Sequence, residues 1–306
     1  MIDALQTTVP VFLIIALGFL LRRLEFVPES FWPAAERLVY YVLLPALIAR
    51  SLATRGVDLQ SFGLLVAGVA GVIVAVSLLS LALGRLWRAP PGTLASFHQA
   101  SIRLNGIVGI AAVNGLLGDA GLPLVAAVVA AWIPISNGLS VWGYVRASGA
   151  GHGRIGALLA VVRNPMILAV GAGLLLNLLG LGPTVAAWPL LEILGRAALP
   201  VGLLAVGAAL TMAAAKAAGG LAVVSTSLKL IVMPALAYGV GRVLGLGGSE
   251  LLALVTFAAM PTSPGGYVVA RQLGGDAPFM ATAITLQHLA ALATLTLTAT
   301  LLAEVL

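Results

Sequence analysis

From Leu64 to Leu83 the chain reads LLVAGVAGVIVAVSLLSLAL, without one charged side chain. A helix of about 20 such residues spans the hydrocarbon core of a bilayer. Similar runs recur along the sequence, punctuated by Gly, Pro and Arg. Of the 306 residues, 61% are hydrophobic and 8% charged, against about 25% charged in a soluble domain. So little polar surface cannot cover a globule in water. The expected fold is therefore all-α, polytopic and membrane-embedded; the alternating ten-residue strands of a β-barrel are absent. No polar stretch is long enough to form a soluble domain.

The runs predict ten helices, at about 7–22, 35–53, 61–86, 95–117, 122–146, 157–180, 188–212, 219–245, 250–273 and 278–304. The start, MIDALQTTVP, lacks a positive region, and Arg22-Arg23 follow the first run, which reads as a first membrane helix rather than a cleaved signal. Arg22, Arg23, Arg85, Arg88, Arg146, Arg154, Arg163, Lys216 and Arg271 fall in odd-to-even loops, against Arg50, Arg55 and Arg242 on the other side. The positive-inside rule then puts both termini outside a bacterial cytoplasmic membrane. With no Cys, disulfides, thiolate nucleophiles and Cys-ligated metals are excluded. The net charge of +6 is scattered, never a basic run, so nucleic acid is not an expected partner.

Two halves echo each other. Pro10, Gly18, Pro28 and Pro45 recur as Pro165, Gly173, Pro183 and Pro200, each 155 residues on (200 − 45). Trp32-Pro33 recurs as Trp188-Pro189 and Gly118-Asp119-Ala120 as Gly275-Asp276-Ala277. A repeated unit of five helices, an odd number, must insert upside down. The expected organisation is a first repeat at 1–147, a short cytoplasmic linker at 148–156 and an inverted second repeat at 157–306.

Within expected helix 9 stands MPTSPGGY, Met260–Tyr267. Pro261 and Pro264 remove two backbone donors and disfavour helix at the residues before them; Gly265 and Gly266 add freedom. The matching place in helix 4 holds Asn105, Gly106 and Gly109 but no proline. Irregular backbone at membrane depth is tolerated only when shielded by protein or lining a wet cavity. Two breaks meeting near the midplane would offer amides and positive half-helix ends to an anion. Two merely kinked helices are the plainer alternative.

The stretches AAMPTSPGGYVVARQLGGD (258–276), QASIRLNGIVGIAAVNGLLGDAGL (99–122), LVYYVLLPALIARSL (38–52), IPISNGLSVWGY (133–144) and LKLIVMPALAYGVGRVLGL (228–246) resemble bacterial members of the auxin efflux carrier family. The resemblance spans essentially the whole chain. It implies two inverted five-helix repeats with crossing broken helices 4 and 9, a fold shared with bile-acid/sodium symporters and sodium/proton antiporters. It also implies a homodimeric scaffold of helices 1, 2, 6 and 7, and elevator-like movement of helices 3–5 and 8–10. Plant relatives export indole-3-acetate; several bacterial relatives are assigned to malate or malonate. The chain departs from the plant pattern at Ala111, near a frequent crossing proline, and in the shortness of its linker.

Candidate substrate-binding residues are Asn105, Gly106, Asn137, Pro261, Thr262, Ser263, Pro264, Gly265 and Gln287. Asn105 and Thr262 offer hydrogen bonds to a carboxylate, or cap half-helix ends; Asn137 binds substrate or glues helices. Arg103 and Lys229 are the deepest cations and supply electrostatic support, unless they snorkel to the interface. His288 is a candidate for proton coupling, although a lone histidine usually has a structural role. Tyr40, Tyr41 and Trp132 are interfacial anchors or pocket walls. Glu192 and Arg196 have the i,i+4 spacing of a structural pair.

The leading expectation is a secondary transporter of small mono- or dicarboxylates. GxxxxGK[ST] is absent, so no nucleotide site drives it. No cofactor or metal is expected; a coupling ion, sodium or proton, is left open. Neither break contains Asp or Glu, which argues against cation exchange but not against sodium symport through carbonyls and hydroxyls. An intramembrane enzyme is a distant alternative: Ser263 and His288 suggest a dyad, but Pro264-Gly265 leaves the usual serine elbow unformed, and HExxH is missing.

Overall fold

The computed structural model of the protein describes residues 2–54, 59–148, 164–181, 188–216 and 218–305. The linker expected at 148–156 (Ser148 apart), residues 157–163, and Arg55, Arg154 and Arg163 lie outside the described residues. Among the described residues there are helices and turns and no strand. In chain order come α1 (Ile2–Arg23), α2 (Phe31–Thr54), α3 (Leu59–Leu86), α4 (Pro91–Ile102), α5 (Gly106–Leu117) and α6 (Leu122–Ser148). Then follow α7 (Pro165–Leu178), α8 (Trp188–Ala208), the short α9 (Met212–Lys216), α10 (Gly220–Val243), α11 (Gly248–Ala258), α12 (Gly265–Gln272) and α13 (Ala277–Val305). Among the described residues, six stretches are long and apolar enough to cross a membrane: Phe31–Thr54, Gln60–Leu86, Pro91–Ser148, Trp188–Ala208, Gly220–Val243 and Ala277–Leu302.

Expected helix 4 is thus two helices, α4 and α5, and expected helix 9 is α11 and α12. The second break runs from Ala259 to Pro264, earlier than 261–266, because Gly265 and Gly266 already form the first turn of α12. The prolines interrupt the chain, and the glycines restart it. α2 and α10 are continuous but each holds a π turn, Val39–Leu43 and Leu228–Val232. Each turn precedes a proline, Pro45 or Pro234, whose missing N–H breaks the regular ladder and lets the turn widen.

The helices sort by packing. α1 lies on α8, α2 on α7, and α8 on α2. α6 packs on α3 and α4, and α10 packs on α11, α3 and α13. Contacts of α1 with α5 and α13, and of α8 with α5, join the two groups. Large apolar side chains such as Leu13, Leu78, Leu175 and Leu297 remain exposed on the outside. In water such a surface would drive association; lipid tails match it.

Close approach within the first group depends on glycines, Gly18 and Gly173 among them. A Cβ on Gly18 would collide with the Leu204 backbone, and one on Gly173 would lie 2.7 Å from the carbonyl oxygen of Ala49. Both pairs obey the offset seen in the sequence: 18 to 173 and 49 to 204 are each 155 apart. A side chain at Gly18 must therefore push α1 off α8. Gly18→Val should cost about 1–3 kcal/mol by overpacking and lower the thermal midpoint in detergent by about 3 °C or more. Gly63→Val, in open space on α3, should leave the midpoint within about 1 °C.

Candidate functional site

The two breaks meet. The backbone N–H of Asn105 donates to the Pro261 carbonyl at 2.7 Å, joining the extended segment before α5 to the segment after α11. Just beyond, the ring of Phe257 on α11 fits where Gly109 on α5 has no side chain; a Cβ there would lie 2.7 Å from it. α5 and α11 therefore cross closely, with an irregular segment on each side of the crossing.

Each loose end has a partner. Asn105 Oδ1 accepts from the amides of Ile107 and Val108 at 3.2 and 3.4 Å, the N-cap of α5. That cap fixes the amide orientation, so Nδ2 faces His288 Nε2 at 3.1 Å as a donor. His288 Nδ1 lies 2.7 Å from the Ile284 carbonyl, which can only accept. The imidazole is accordingly the neutral tautomer protonated on Nδ1, with Nε2 accepting from Asn105. Gln287, the preceding residue on α13, secures the other break. Its Oε1 accepts from the Thr262 N–H at 2.8 Å, and its Nε2 reaches the Ala100 carbonyl at 3.2 Å and Ser225 Oγ at 3.3 Å.

Beside the crossing lies a cavity of about 100 Å³ whose polar lining includes Tyr40, Arg103, Asn105, Gly106, Asn137 and Ser263. Leu44, Ile133 and Met166 form part of its apolar wall. Arg103 stands in the first break, extended rather than helical. Its Nη1 donates to Asn137 Oδ1 at 2.9 Å, while its Nε finds no acceptor among the described residues. Gly265, where α12 starts, lies alongside: a Cβ on it would be 3.5 Å from Arg103 Nη2. Arg103 thus lines the cavity as a cation with one buried, unused donor, next to the positive N-terminal end of α5.

Of the residues singled out from the sequence, Arg103, Asn105, Gly106, Asn137 and Ser263 come together at this cavity. Pro264 lines a second cavity, of about 390 Å³, with Arg22, Glu29, Trp32 and Tyr267. Pro261, Thr262, Gln287, His288 and Lys229 are outside both linings; Thr262 and Gln287 are fully buried and hold the crossing together. Lys229 is fully buried too, so it does not snorkel. Trp132 is internal, its indole N–H bonded to the Ile102 carbonyl at 2.9 Å, rather than an interfacial anchor. Arg196 pairs with Glu192 at 2.6 Å, as the spacing suggested.

A polar column on α4 was missed. Thr93 Oγ1 donates to Asp276 Oδ2 at 2.8 Å, Ser96 Oγ accepts from the Asp276 N–H at 2.8 Å, and Tyr144 O–H donates to Gln99 Oε1 at 2.6 Å. Ser96 and Tyr144 also touch, at 3.2 Å. The signal was present: Thr93, Ser96 and Gln99 recur every third residue, a polar stripe on one helix face. It ties the turn before α13 to α4 and α6.

Residues 155–299 match the family model described as membrane transport protein. No curated protein matches the chain. The match agrees with the family resemblance carried by the motifs. The apolar stretches above suit a multi-pass membrane protein, and the matched model is one of membrane transport.

Gln287→Leu should strand the Thr262 N–H and the Ala100 carbonyl inside the protein. An orphaned buried group costs about 1–3 kcal/mol, so the thermal midpoint in detergent should fall clearly. Gln272→Leu, at the exposed end of α12, should change it little. Equal midpoints for the two variants would contradict the role given to Gln287.

Proposed function

We propose that the chain, whose residues 155–299 match the family model described as membrane transport protein, is a secondary carrier of small organic anions. The observation that carries this reading is Arg103: a guanidinium in a backbone break, at the wall of a small cavity, with an unused donor. A carboxylate is its natural partner, since the planar fork donates two parallel hydrogen bonds. Asn137 and Ser263 add hydrogen-bonding groups, and the α5 end adds positive potential. The Ile107 and Val108 amides are already engaged by the Asn105 cap, so α5 acts mainly through its field. A cavity of about 100 Å³ suits an acid of a few carbon atoms, a mono- or dicarboxylate.

The positions of the cavities support a way for the site to change access. Tyr40, Leu44 and Met166 come from α2 and α7; Arg103, Asn105, Ile133 and Asn137 come from the break and α6. The second cavity is likewise shared, between Trp32 and Ala205 on one side and Pro264 and Ala281 on the other. In this reading α1, α2, α7 and α8 form a scaffold, homodimeric in the membrane, and the remaining helices move against it like an elevator. The two glycine contacts repeated at an offset of 155 support two inverted five-helix repeats. Both termini then face outside the bacterial cytoplasmic membrane.

Purified protein should be stabilised in a thermal-shift screen by one or more small mono- or dicarboxylates, and reconstituted protein should take up the same acids. Arg103→Gln should weaken that binding by about 30-fold or more, the usual scale for removing one member of a buried charge pair. Arg271→Gln, exposed in the last turn of α12, should not. Normal binding by Arg103→Gln, or no response to any carboxylate, would overturn the reading.

A further inference from the structure

The last turns of α3 and α6 carry the same pattern. On α3, Val74, Leu78, Leu81 and Arg85 follow at intervals of four, three and four residues, which puts them on one helix face. On α6, Ile135, Leu139, Trp142 and Arg146 follow at the same intervals. The two helices pack against each other. Each face is therefore an apolar track that ends in an arginine. Val74, Leu78 and Trp142 are exposed, so the tracks lie open to lipid.

The two arginines meet. A cavity of about 220 Å³ is lined by both Arg85 and Arg146, with Leu81, Leu94 and Trp142 among its walls. Ala89, from the turn between α3 and α4, lines it too. No Asp or Glu does. The ion pairs among the described residues are Arg22–Glu29, Arg50–Glu192 and Arg196–Glu192, so neither of these arginines has a carboxylate partner there. The Arg146 guanidinium lies over the Trp142 ring, 5.8 Å from its centre. Interfacial Arg and Trp are common around membrane proteins, but scattered ones do not share a cavity. Two like charges at one cavity repel each other, and an anion between them turns that repulsion into attraction.

The shape of the site narrows the choice of anion. A guanidinium fork matches two oxygens of a phosphate. Free phosphate would use the arginines and leave the apolar tracks idle; a phospholipid uses both. A zwitterionic headgroup also brings an ammonium. No carboxylate lines the cavity to receive it, and Arg146 already lies on the Trp142 ring. We propose that the groove between the ends of α3 and α6 binds an anionic phospholipid, its phosphate on Arg85 and Arg146 and an acyl chain along the apolar track. The bound lipid joins α3 and α6 to the turn into α4. This inference depends on the chain being embedded in a bilayer and not on what it carries.

The test titrates purified, delipidated protein in a neutral detergent with phosphatidylglycerol, phosphatidylcholine or inorganic phosphate, read by native mass spectrometry and thermal shift. Phosphatidylglycerol should bind about tenfold more tightly than phosphatidylcholine and raise the midpoint; inorganic phosphate at the same concentration should not. Arg85→Gln combined with Arg146→Gln should weaken phosphatidylglycerol binding about tenfold or more. Both side chains are exposed, so the midpoint without lipid should stay within about 1 °C of wild type. Arg23→Gln combined with Arg271→Gln removes two other exposed charges and should leave binding within about twofold. Equal losses in the two double variants would reduce the effect to net charge and overturn the proposal. Equal binding of phosphatidylcholine, or unchanged binding without Arg85 and Arg146, would overturn it too. Inorganic phosphate binding as tightly as the lipid would make this a free-phosphate site and contradict the lipid assignment. If the first double variant does not fold, Arg146→Gln alone should lose about threefold, and no loss there would contradict the proposal.

Discussion

Lipid offers nothing to an unpaired amide, so a chain that interrupts its helices there must pair the loose ends itself. The rest of the site depends on how that is done. The Asn105 N–H goes to the Pro261 carbonyl, one break satisfying the other. The Asn105 side chain caps α5, and Gln287 takes the Thr262 N–H. Once these demands are met within the protein, Arg103 can stand in a break with donor capacity to spare.

Two neighbours on α13 do much of this work from opposite sides. Successive residues on a helix point about 100° apart, so Gln287 can reach the second break while His288 reaches the Asn105 cap. A single rigid helix thereby registers both interruptions. The column Thr93–Ser96–Gln99, joined to Asp276 and Tyr144, fastens the far end of α4 to the same body. A broken crossing held at so many points can move as a unit, which the proposed elevator-like movement would require.

The breaks were legible because prolines and a cap residue act locally. Pro261 and Pro264 forbid helix wherever they fall, and Asn105 followed by Gly106 is a helix start whatever surrounds it. The offset between halves was legible for a similar reason: Gly18 and Gly173 are fixed by backbone contact, which leaves little freedom for substitution. What the sequence did not disclose depends on distant partners. Gln287 was read as a substrate ligand because a polar group in an apolar run suggests a cavity; its partners Thr262 and Ala100 are 25 and 187 residues away. The glycines at 265 and 266 were read as part of the break, but a helix N-terminus accepts glycine readily. The surroundings of Lys229 depend on a π turn and an indole from another helix, neither visible in a linear pattern.

The central claim is that the joined breaks present Arg103 to a carboxylate in the cavity beside the crossing. A cryo-EM map of the protein in nanodiscs, loaded with a carboxylate that stabilises it, tests this most directly. The account predicts interrupted helices at 103–105 and 259–264, and ligand density against Arg103 and Asn137. Unbroken helices at either place, or the anion bound away from Arg103, would contradict it.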